Sequence, residues 1–410
     1  MILLFLFLLP LSCSAISFDQ AVSDIINRDQ LIKAQEKLSK ASKLSSLSGK
    51  LNYLPKVSIG AKKIKDYELD RDGEQIYTSI GLNIYNGGAD YSNQKIKKNE
   101  YLLAKLNEKK QRLDSEKSAV ESILSYILSK KQLELQIDNR KLYLNSLNIA
   151  KKRFSQGLIP KEDIEKIEID YLNSDVQVSN AKINFEASKK SLSSLLGHTE
   201  IYEDWPWTSK INEIEINKIK GINYNADENV EHHVLKIQDK IQSGTARYFK
   251  ADLFPKLNLE FSANKGISGY LDSQVEKIGM VTLSYSLFNG LSDMSNYKLE
   301  KAKKILTKAQ LEHSSRLRKS EWDERKSTLI ESIENLKIRQ RTLNLAKKLL
   351  NVAERNFKRG RSSINDLKLD QTRLLESRNA YIEGWQNVHL KLLELCQEKS
   401  QFYKACIKSL

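Results

Sequence analysis

The chain has 410 residues, of which 29% are charged, and a mean hydropathy of −0.51, values typical of a water-facing protein. Only 5 Pro and 16 Gly are present, so long stretches can form uninterrupted helix. The net charge of +15 comes from Lys and Arg interleaved with Glu, which indicates solvated helix faces rather than a nucleic-acid-binding surface. No Gly-rich phosphate loop, Cys-x-x-Cys pair or serine elbow appears, so we predict neither an enzyme nor a bound cofactor.

The N-terminus resembles an export signal. Residues 2–11 are almost wholly apolar and precede the small residues Ser12-Cys13-Ser14-Ala15. The apolar run is shorter than the ~20 residues that a transmembrane helix needs. We therefore predict a secretory signal peptide cleaved after Ala15. A buried N-terminal strand or helix is the alternative, and Cys13 is an alternative lipidation site.

Two cysteines remain after this cleavage, Cys396 and Cys406. In an oxidising compartment they either pair or stay as free thiols.

The chain contains an internal repeat. Leu54-Pro55-Lys56 and Phe254-Pro255-Lys256 each open a stretch of alternating apolar and polar residues, at an offset of 200 residues. A second alternating stretch ends in Asn86-Gly87 in the first half and in Asn289-Gly290 in the second, at an offset of 203. Each half therefore begins with the same pair of predicted strands.

A long helical segment follows each Asn-Gly pair and runs to a second glycine, Gly157 or Gly360, again at an offset of 203. Another helical segment then follows. The second half has apolar residues every seven positions on both sides of Gly360: Leu329, Leu336, Leu343, Leu350 and Phe357 before it, and Leu367, Leu374, Tyr381, Val388 and Leu395 after it. This spacing predicts coiled-coil hairpins that turn at the glycines.

The four alternating stretches have one apolar and one polar side each. The predicted apolar sides consist of Val57, Ile59 and Ala61; Ile80, Leu82 and Ile84; Leu257, Leu259 and Phe261; and Val281, Leu283, Tyr285 and Leu287. Tyr85 falls on the polar side of the second stretch. This alternation is typical of transmembrane barrel strands, and equally of a soluble sheet packed on a helix. Four strands are too few to close a barrel, which needs about eight.

These segments resemble the TolC-like outer-membrane efflux protein family, over nearly the whole mature chain from Phe18 to Leu395. The resemblance rests mainly on residues 153–158 and 355–360, where the hairpins turn. The junctions Tyr85-Asn86-Gly87-Gly88 and Phe288-Asn289-Gly290 also carry it.

The resemblance implies a homotrimer in the cell outer membrane that extends into the periplasm. Each subunit would be mainly α with a small β part, and would contain long coiled-coil hairpins in two structural repeats. Three subunits would form a trimeric α-barrel and a shared twelve-stranded transmembrane β-barrel in contact with outer-membrane lipid. Such a channel is the exit duct of a tripartite efflux or type I secretion system, and it docks onto a periplasmic adaptor protein and an inner-membrane transporter.

The resemblance also implies functional residues at the hairpin tips. The expected adaptor contacts are Arg153, Phe154, Gly157, Leu158, Phe357 and Gly360. The candidates for the pore constriction are Asp366, which matches one acidic position of the family, and Asp370, which lies one residue beyond the second acidic position, occupied here by Leu369. The alternative role for Asp366, shared with its matched residue Asp163, is to cap a helix N-terminus.

The predicted organisation is a signal peptide (1–15), a first strand–helix repeat (16–200), an equatorial segment with Trp205 and Trp207 (201–231), a second repeat (232–400) and a tail (401–410). A soluble periplasmic coiled-coil adaptor or scaffold is the rival interpretation. It explains the heptads and the export signal, but not the strands that recur beside Asn-Gly. His232 and His233 are the only histidine pair, and adjacent side chains point apart, so no metal site is expected.

Overall fold

A computed structural model of the chain describes residues 17–68, 70–197, 216–269, 271, 273–403 and 405–406. The predicted signal peptide with Cys13 lies outside the described residues, and so do Trp205 and Trp207 of the equatorial segment.

The described residues form long helices and one small sheet. The helices are α1 (Phe18–Arg28), α2 (Gln30–Leu51), α3 (Ala89–Ser155), α4 (Lys161–Leu196), α5 (Ile216–Gly221), α6 (Val230–Ala251), α7 (Ser292–Lys358) and α8 (Ile364–Glu398), with a short 3-10 helix at Ala226–Glu228. The strands are β1 (Lys56–Asp66), β2 (Arg71–Asn86), β3 (Lys256–Gly269) and β4 (Val275–Ser284). Among the described helices, none is long and apolar enough to cross a membrane.

The two strand–helix repeats are confirmed by the element lengths. Helices α2 and α6 have 22 residues each, α3 and α7 have 67 each, and α4 and α8 have 36 and 35. Each pair occupies the same place in its half of the chain. The predicted mainly α architecture with a small β part is therefore correct.

The junctions between strand and long helix are built alike in both repeats. The side-chain oxygen of Asn86 accepts the backbone N–H of Asp90 (3.3 Å), and that of Asn289 accepts the backbone N–H of Asp293 (3.4 Å). The glycine after each asparagine has a positive φ, 67° and 69°. Glycine reaches this conformation without steric cost, so the Asn-Gly pair both turns the chain and supplies a partner for the first helical turn.

The chain forms two compact units, each containing parts of both repeats. The sheet unit comprises residues 31–111 and 226–318 and holds all four strands. The helical unit comprises the described parts of residues 1–30, 112–225 and 319–410 and holds both tips. Nine of the ten predicted heptad residues of the second repeat lie in the core of the helical unit, and the tenth, Tyr381, is partly buried. The nine buried residues are Leu329, Leu336, Leu343, Leu350, Phe357, Leu367, Leu374, Val388 and Leu395. Burial of these apolar stripes is the main stabilising contribution to the hairpin.

The first repeat has a charged residue, Arg140, at the position that matches the heptad residue Leu343 at the offset of 203. Its guanidinium donates to the hydroxyl of Tyr171 (2.9 Å) and forms an ion pair with Asp175. Both partners lie on α4, the returning helix of the same hairpin. The charge is thus paired between the two helices rather than left unsatisfied.

The C-terminal end of the helical unit is held by a disulfide and by hydrogen bonds to buried side chains. Cys396 and Cys406 form a disulfide, which decides between the two alternatives for these thiols. Tyr403 between them is buried, and its backbone N–H donates to both carboxylate oxygens of Glu116 (3.1 Å each). The Tyr403 hydroxyl shares a 2.9 Å hydrogen bond with Nδ1 of His389. Burial raises the pKa of Glu116 to about 7, while the hydrogen bond from Tyr403 opposes that rise.

Candidate functional site

The first tip ends α3 with a paired hydrogen-bond motif. The N–H of Leu158 donates to the carbonyl of Arg153 (2.9 Å), and the N–H of Gly157 donates to the carbonyl of Phe154 (2.8 Å). Gly157 has φ of 69°. This is the Schellman arrangement, in which a left-handed glycine lets the chain double back and pair the last helical carbonyls.

The second tip repeats this motif. The N–H of Arg361 donates to the carbonyl of Asn356 (2.8 Å), and that of Gly360 donates to the carbonyl of Phe357 (3.0 Å). Gly360 has φ of 73°. The two tips therefore share one backbone geometry, residue for residue, at an offset of 203.

Arg153 of the first tip reaches Phe357 of the second. Its Nη1 donates to the Phe357 carbonyl (3.2 Å), and its guanidinium lies 4.7 Å from the centre of the Phe357 ring. Phe357 is 0% exposed and belongs to a cluster with Leu350, Ile364 and Leu367. A cation over a buried aromatic face is stabilising, so the structure brings these two predicted tip residues together as a packing contact.

The matched phenylalanines have different surroundings. Phe154 is 43% exposed and Leu158 is 59% exposed, whereas Phe357 is fully covered. Sequence alone places Phe154 and Phe357 at equivalent heptad positions and does not distinguish them. The first tip thus offers apolar surface, and the second tip hides its aromatic residue.

Asp366 helps to cap the N-terminus of α8. Ser363 and Asp366 form a capping box: the Ser363 hydroxyl accepts the N–H of Asp366 (3.2 Å), and the Asp366 carboxylate accepts the N–H of Ser363 (2.9 Å). The Ser363 hydroxyl also donates to the same carboxylate (2.7 Å). These hydrogen bonds from Ser363 lower the pKa of Asp366, so the exposed carboxylate is charged at neutral pH.

Asp163, which matches Asp366 in the first repeat, does not form a capping box. The N-cap residue of α4 is Pro160, whose side chain makes no hydrogen bond to the helix. Asp163 pairs instead with Lys166 at 3.4 Å. The other constriction candidate, Asp370, pairs with Arg373 at 2.9 Å. Asp366 and Asp370 therefore have separate partners within the subunit.

Polar contacts join α8 to the first hairpin near the tips. Lys368 pairs with Asp170 of α4 (2.6 Å), and the Gln371 amide donates to the hydroxyl of Ser146 of α3 (2.7 Å). The sequence does not predict these contacts, because each one joins residues from different repeats about 200 positions apart.

The four strands form an antiparallel sheet in the order β1-β2-β3-β4. Residues directly opposite each other in neighbouring strands project from the same face. The strand register places the apolar residues in three rows across the sheet. These rows are Val57, Ile80 and Phe261; Leu82, Leu259 and Val281; and Leu257 and Leu283. The predicted apolar sides of all four strands therefore share one face. Most of these side chains are exposed, as Leu283 is at 71%.

The opposite face of the sheet is polar along its middle. The register aligns Ser58, Ser79 and Ser262 across three strands, and the hydroxyls of Ser58 and Ser79 are 2.7 Å apart. Asn83, Asn258 and Thr282 are aligned in the same way. The sheet is thus two-faced, with its apolar side uncovered within the subunit.

Two assignments in the strands are wrong. An irregularity between Asn83 and Tyr85 pairs Tyr85 with Leu257, which puts Tyr85 with the apolar set instead of the polar one. Strand β4 ends at Ser284, so Tyr285 and Leu287 lie beyond it.

His232 and His233 each have a hydrogen-bond partner within the protein. His232 Nδ1 lies 3.4 Å from the Ser315 hydroxyl, and His233 Nε2 lies 2.8 Å from the Asp227 carbonyl. Among the residues that the structure describes, no group of three or more His, Cys, Asp or Glu side chains is placed to hold a metal ion.

The sequence matches no protein-family model, and no curated protein matches it. The structure, in contrast, superposes on solved outer-membrane channels. The outer-membrane protein VceC of Vibrio cholerae matches with a TM-score of 0.82 and 11% identity, covering 94% of this chain and 96% of that one. The chain has the TolC-like channel fold. CusC matches at 0.81 with 10% identity over 94% and 92%, and the Campylobacter jejuni CmeC outer-membrane channel at 0.79 with 12% identity over 96% and 89%. The TolC-like fold therefore extends over nearly the whole chain, although few residues are shared.

Proposed function

We propose that the protein is a passive exit duct in the outer membrane, serving a tripartite efflux or type I secretion system. In this proposal it conducts substrates delivered by an inner-membrane transporter across the periplasm and outer membrane. The observation that carries the proposal is the two-faced sheet, which exposes an apolar face and bears a polar one behind it. Such a face is unfavourable in water and favourable against lipid hydrocarbon.

The sheet also supports a trimer. Strands β1 and β4 are its edges, and an edge strand has unpaired backbone groups that pair with another chain. In a bilayer those groups must be satisfied, which requires a closed barrel. Three copies side by side supply twelve strands, above the minimum of about eight.

The tips are the proposed docking surface for a periplasmic adaptor. Phe154 and Leu158 are exposed enough to touch a partner directly. Phe357 is buried, so its proposed part is to hold Arg153 and the tip backbone in place. Gly157 and Gly360 set the turns. Asp366 is the first candidate for a ring of carboxylates at the pore constriction, and Asp370 the second.

The proposal is tested on protein purified from membranes. We expect a detergent-requiring trimer that dissociates on heating and that opens ion-conducting pores in a planar bilayer. A monomer that stays soluble without detergent and forms no pores would favour the adaptor or scaffold interpretation and reject the duct.

A further inference from the structure

The two tips differ in charge although they share a backbone. Residues 148–170 contain five basic and five acidic residues, whereas the matched residues 351–373 contain six basic and three acidic ones. Four of the six form a cluster in the turn, here called the basic tip: Arg355, Lys358, Arg359 and Arg361. All four side chains are exposed.

The basic tip has no acidic partner within the part of the chain that the structure describes. Among the described residues, the side chain of Arg355 donates to the carbonyl of Asn351 in its own helix (3.2 Å) and to no carboxylate. Elsewhere on the long helices, lysines pair with acids three residues away, as Lys131 does with Glu134 (2.8 Å). The basic tip departs from that pattern.

The fold does not require these charges. Arg355 and Lys358 stand at i and i+3 in the last turn of α7, a spacing at which like charges repel, and Arg359 follows directly after the helix. The helix dipole favours cations in the last turn, but Arg359 and Arg361 lie beyond Lys358, the last residue of α7. Its matched residue in the first tip is Leu158, the apolar residue that usually accompanies this motif. Arg361 therefore replaces a residue that suits the turn.

We propose that the basic tip binds an acidic surface of the periplasmic adaptor, an inference that rests on the proposed function. Three of the four cations are arginines, whose planar guanidinium groups match carboxylates in two-point hydrogen bonds. The exposed Phe154 and Leu158 add apolar surface beside them on the first tip. The adaptor segment that meets the basic tip carries Glu or Asp side chains, while the segment that meets the first tip is apolar.

The test uses the full-length trimer in detergent and, as probes, the organism's own periplasmic adaptor proteins without their membrane anchors. One variant changes Arg355, Lys358, Arg359 and Arg361 to Gln. A control with the same change in charge converts Lys319, Lys337, Arg341 and Lys347, which are exposed on α7 away from the turn. A third variant, Arg361→Leu, restores the residue type of the first tip and leaves the helix untouched.

We expect one adaptor to bind the wild-type trimer, and to bind more weakly as salt is raised from about 50 to 500 mM. The quadruple tip variant should bind on the order of tenfold more weakly or worse, because four surface ion pairs are lost together. Arg361→Leu should show a smaller loss, and the α7 control should bind as wild type. Replacing the adaptor's acidic tip residues by Lys should restore binding to a tip variant carrying Glu in place of the four cations.

The inference is overturned by equal binding of the tip variant and the wild type, by equal losses in the tip variant and the α7 control, or by no adaptor binding to the wild type. Loss of the trimer itself in the tip variant also overturns it, because the cations would then serve contacts between subunits. Binding of the tip to anionic phospholipid vesicles but to no adaptor has the same consequence. Bilayer conductance of the wild type is measured separately, so that failure of the docking inference is distinguished from failure of the duct proposal.

Discussion

Phe154 and Phe357 allow a matched test of how the tips are packed. Phe357→Ala removes a fully buried aromatic side chain, a change that costs about 3–5 kcal/mol of folding free energy. Phe154→Ala makes the same chemical change at the equivalent position, where the side chain is 43% exposed. Less area is removed from contact and no enclosed cavity is left, so we expect a cost of about 1–2 kcal/mol.

Part of the stability lost in Phe357→Ala is the contact with Arg153, whose guanidinium lies 4.7 Å from the centre of the Phe357 ring. Such a contact contributes roughly 0.5–2 kcal/mol, depending on how far water is excluded. Phe357→Leu keeps most of the apolar volume and removes the aromatic face, so we expect a loss of about 1–2 kcal/mol. Removing Arg153 in the Phe357→Leu background should then cost less than removing it in the wild type.

The assay is urea unfolding of the purified protein, combined with hydrogen exchange of the amides in the last turns of α7. The Phe357→Ala variant should show a lower unfolding midpoint and faster exchange near the tip, whereas Phe154→Ala should change both much less. Equal losses in the two alanine variants would mean that the tips are packed alike and that the contact of Arg153 with Phe357 is not formed.

Three further predictions concern the membrane face, the constriction and pH. Leu283→Arg should impair trimer insertion by at most the ~2–4 kcal/mol that a cation costs at the bilayer midplane, because Leu283 lies one residue from the end of β4. Ser284→Arg on the polar face should insert normally. Equal insertion of the two variants in membrane fractionation would reject the lipid-facing assignment. Asp366→Ala should raise single-channel conductance and reduce block by divalent cations if three carboxylates line the constriction, and Asp163→Ala should do much less; two variants that lose only thermal stability would leave Asp366 as a cap. Burial raises the pKa of Glu116 from 4.5 to about 7. Between pH 4.5 and 7 the folded protein therefore keeps a proton on Glu116 that the unfolded chain has released. The free energy of unfolding should consequently fall as the pH rises through this range. The Glu116→Gln variant should lose that slope in urea midpoints, and an unchanged slope would place its cause in another group.

The backbone turns could be predicted from the sequence because glycine is required where they occur. Gly87, Gly157, Gly290 and Gly360 all have φ near 70°, a region that other residues avoid. Their equal spacing in the two halves therefore predicted the repeat and the ends of the long helices. The capping alternative for Asp366 was also predictable, since Ser363 stands three residues before it and completes a capping box.

The contacts between repeats could not be predicted in this way. The position of Tyr85 depends on how β2 is hydrogen-bonded to β3, and one extra residue in the pairing moves its side chain to the other face. The cover of the Phe357 ring is completed by Arg153, which comes from a different hairpin. Neither feature leaves a periodic pattern in the local sequence, because both depend on a partner far away in the chain.

The difference between the tips follows from placing unlike side chains on a common backbone. Asn356, which matches Arg153, has a short and neutral side chain, so it cannot form the cation–ring contact that Arg153 makes with Phe357, and the Phe154 ring is 43% exposed. Arg153 thus covers one face of the Phe357 ring, and the matched position in the second tip leaves Phe154 without such a cover. With Leu158 exchanged for Arg361 at the turn, the second tip presents charge where the first presents hydrocarbon. A partner that meets both tips must carry two kinds of surface, so the partner's charge pattern is the most discriminating test of the proposed adaptor contact.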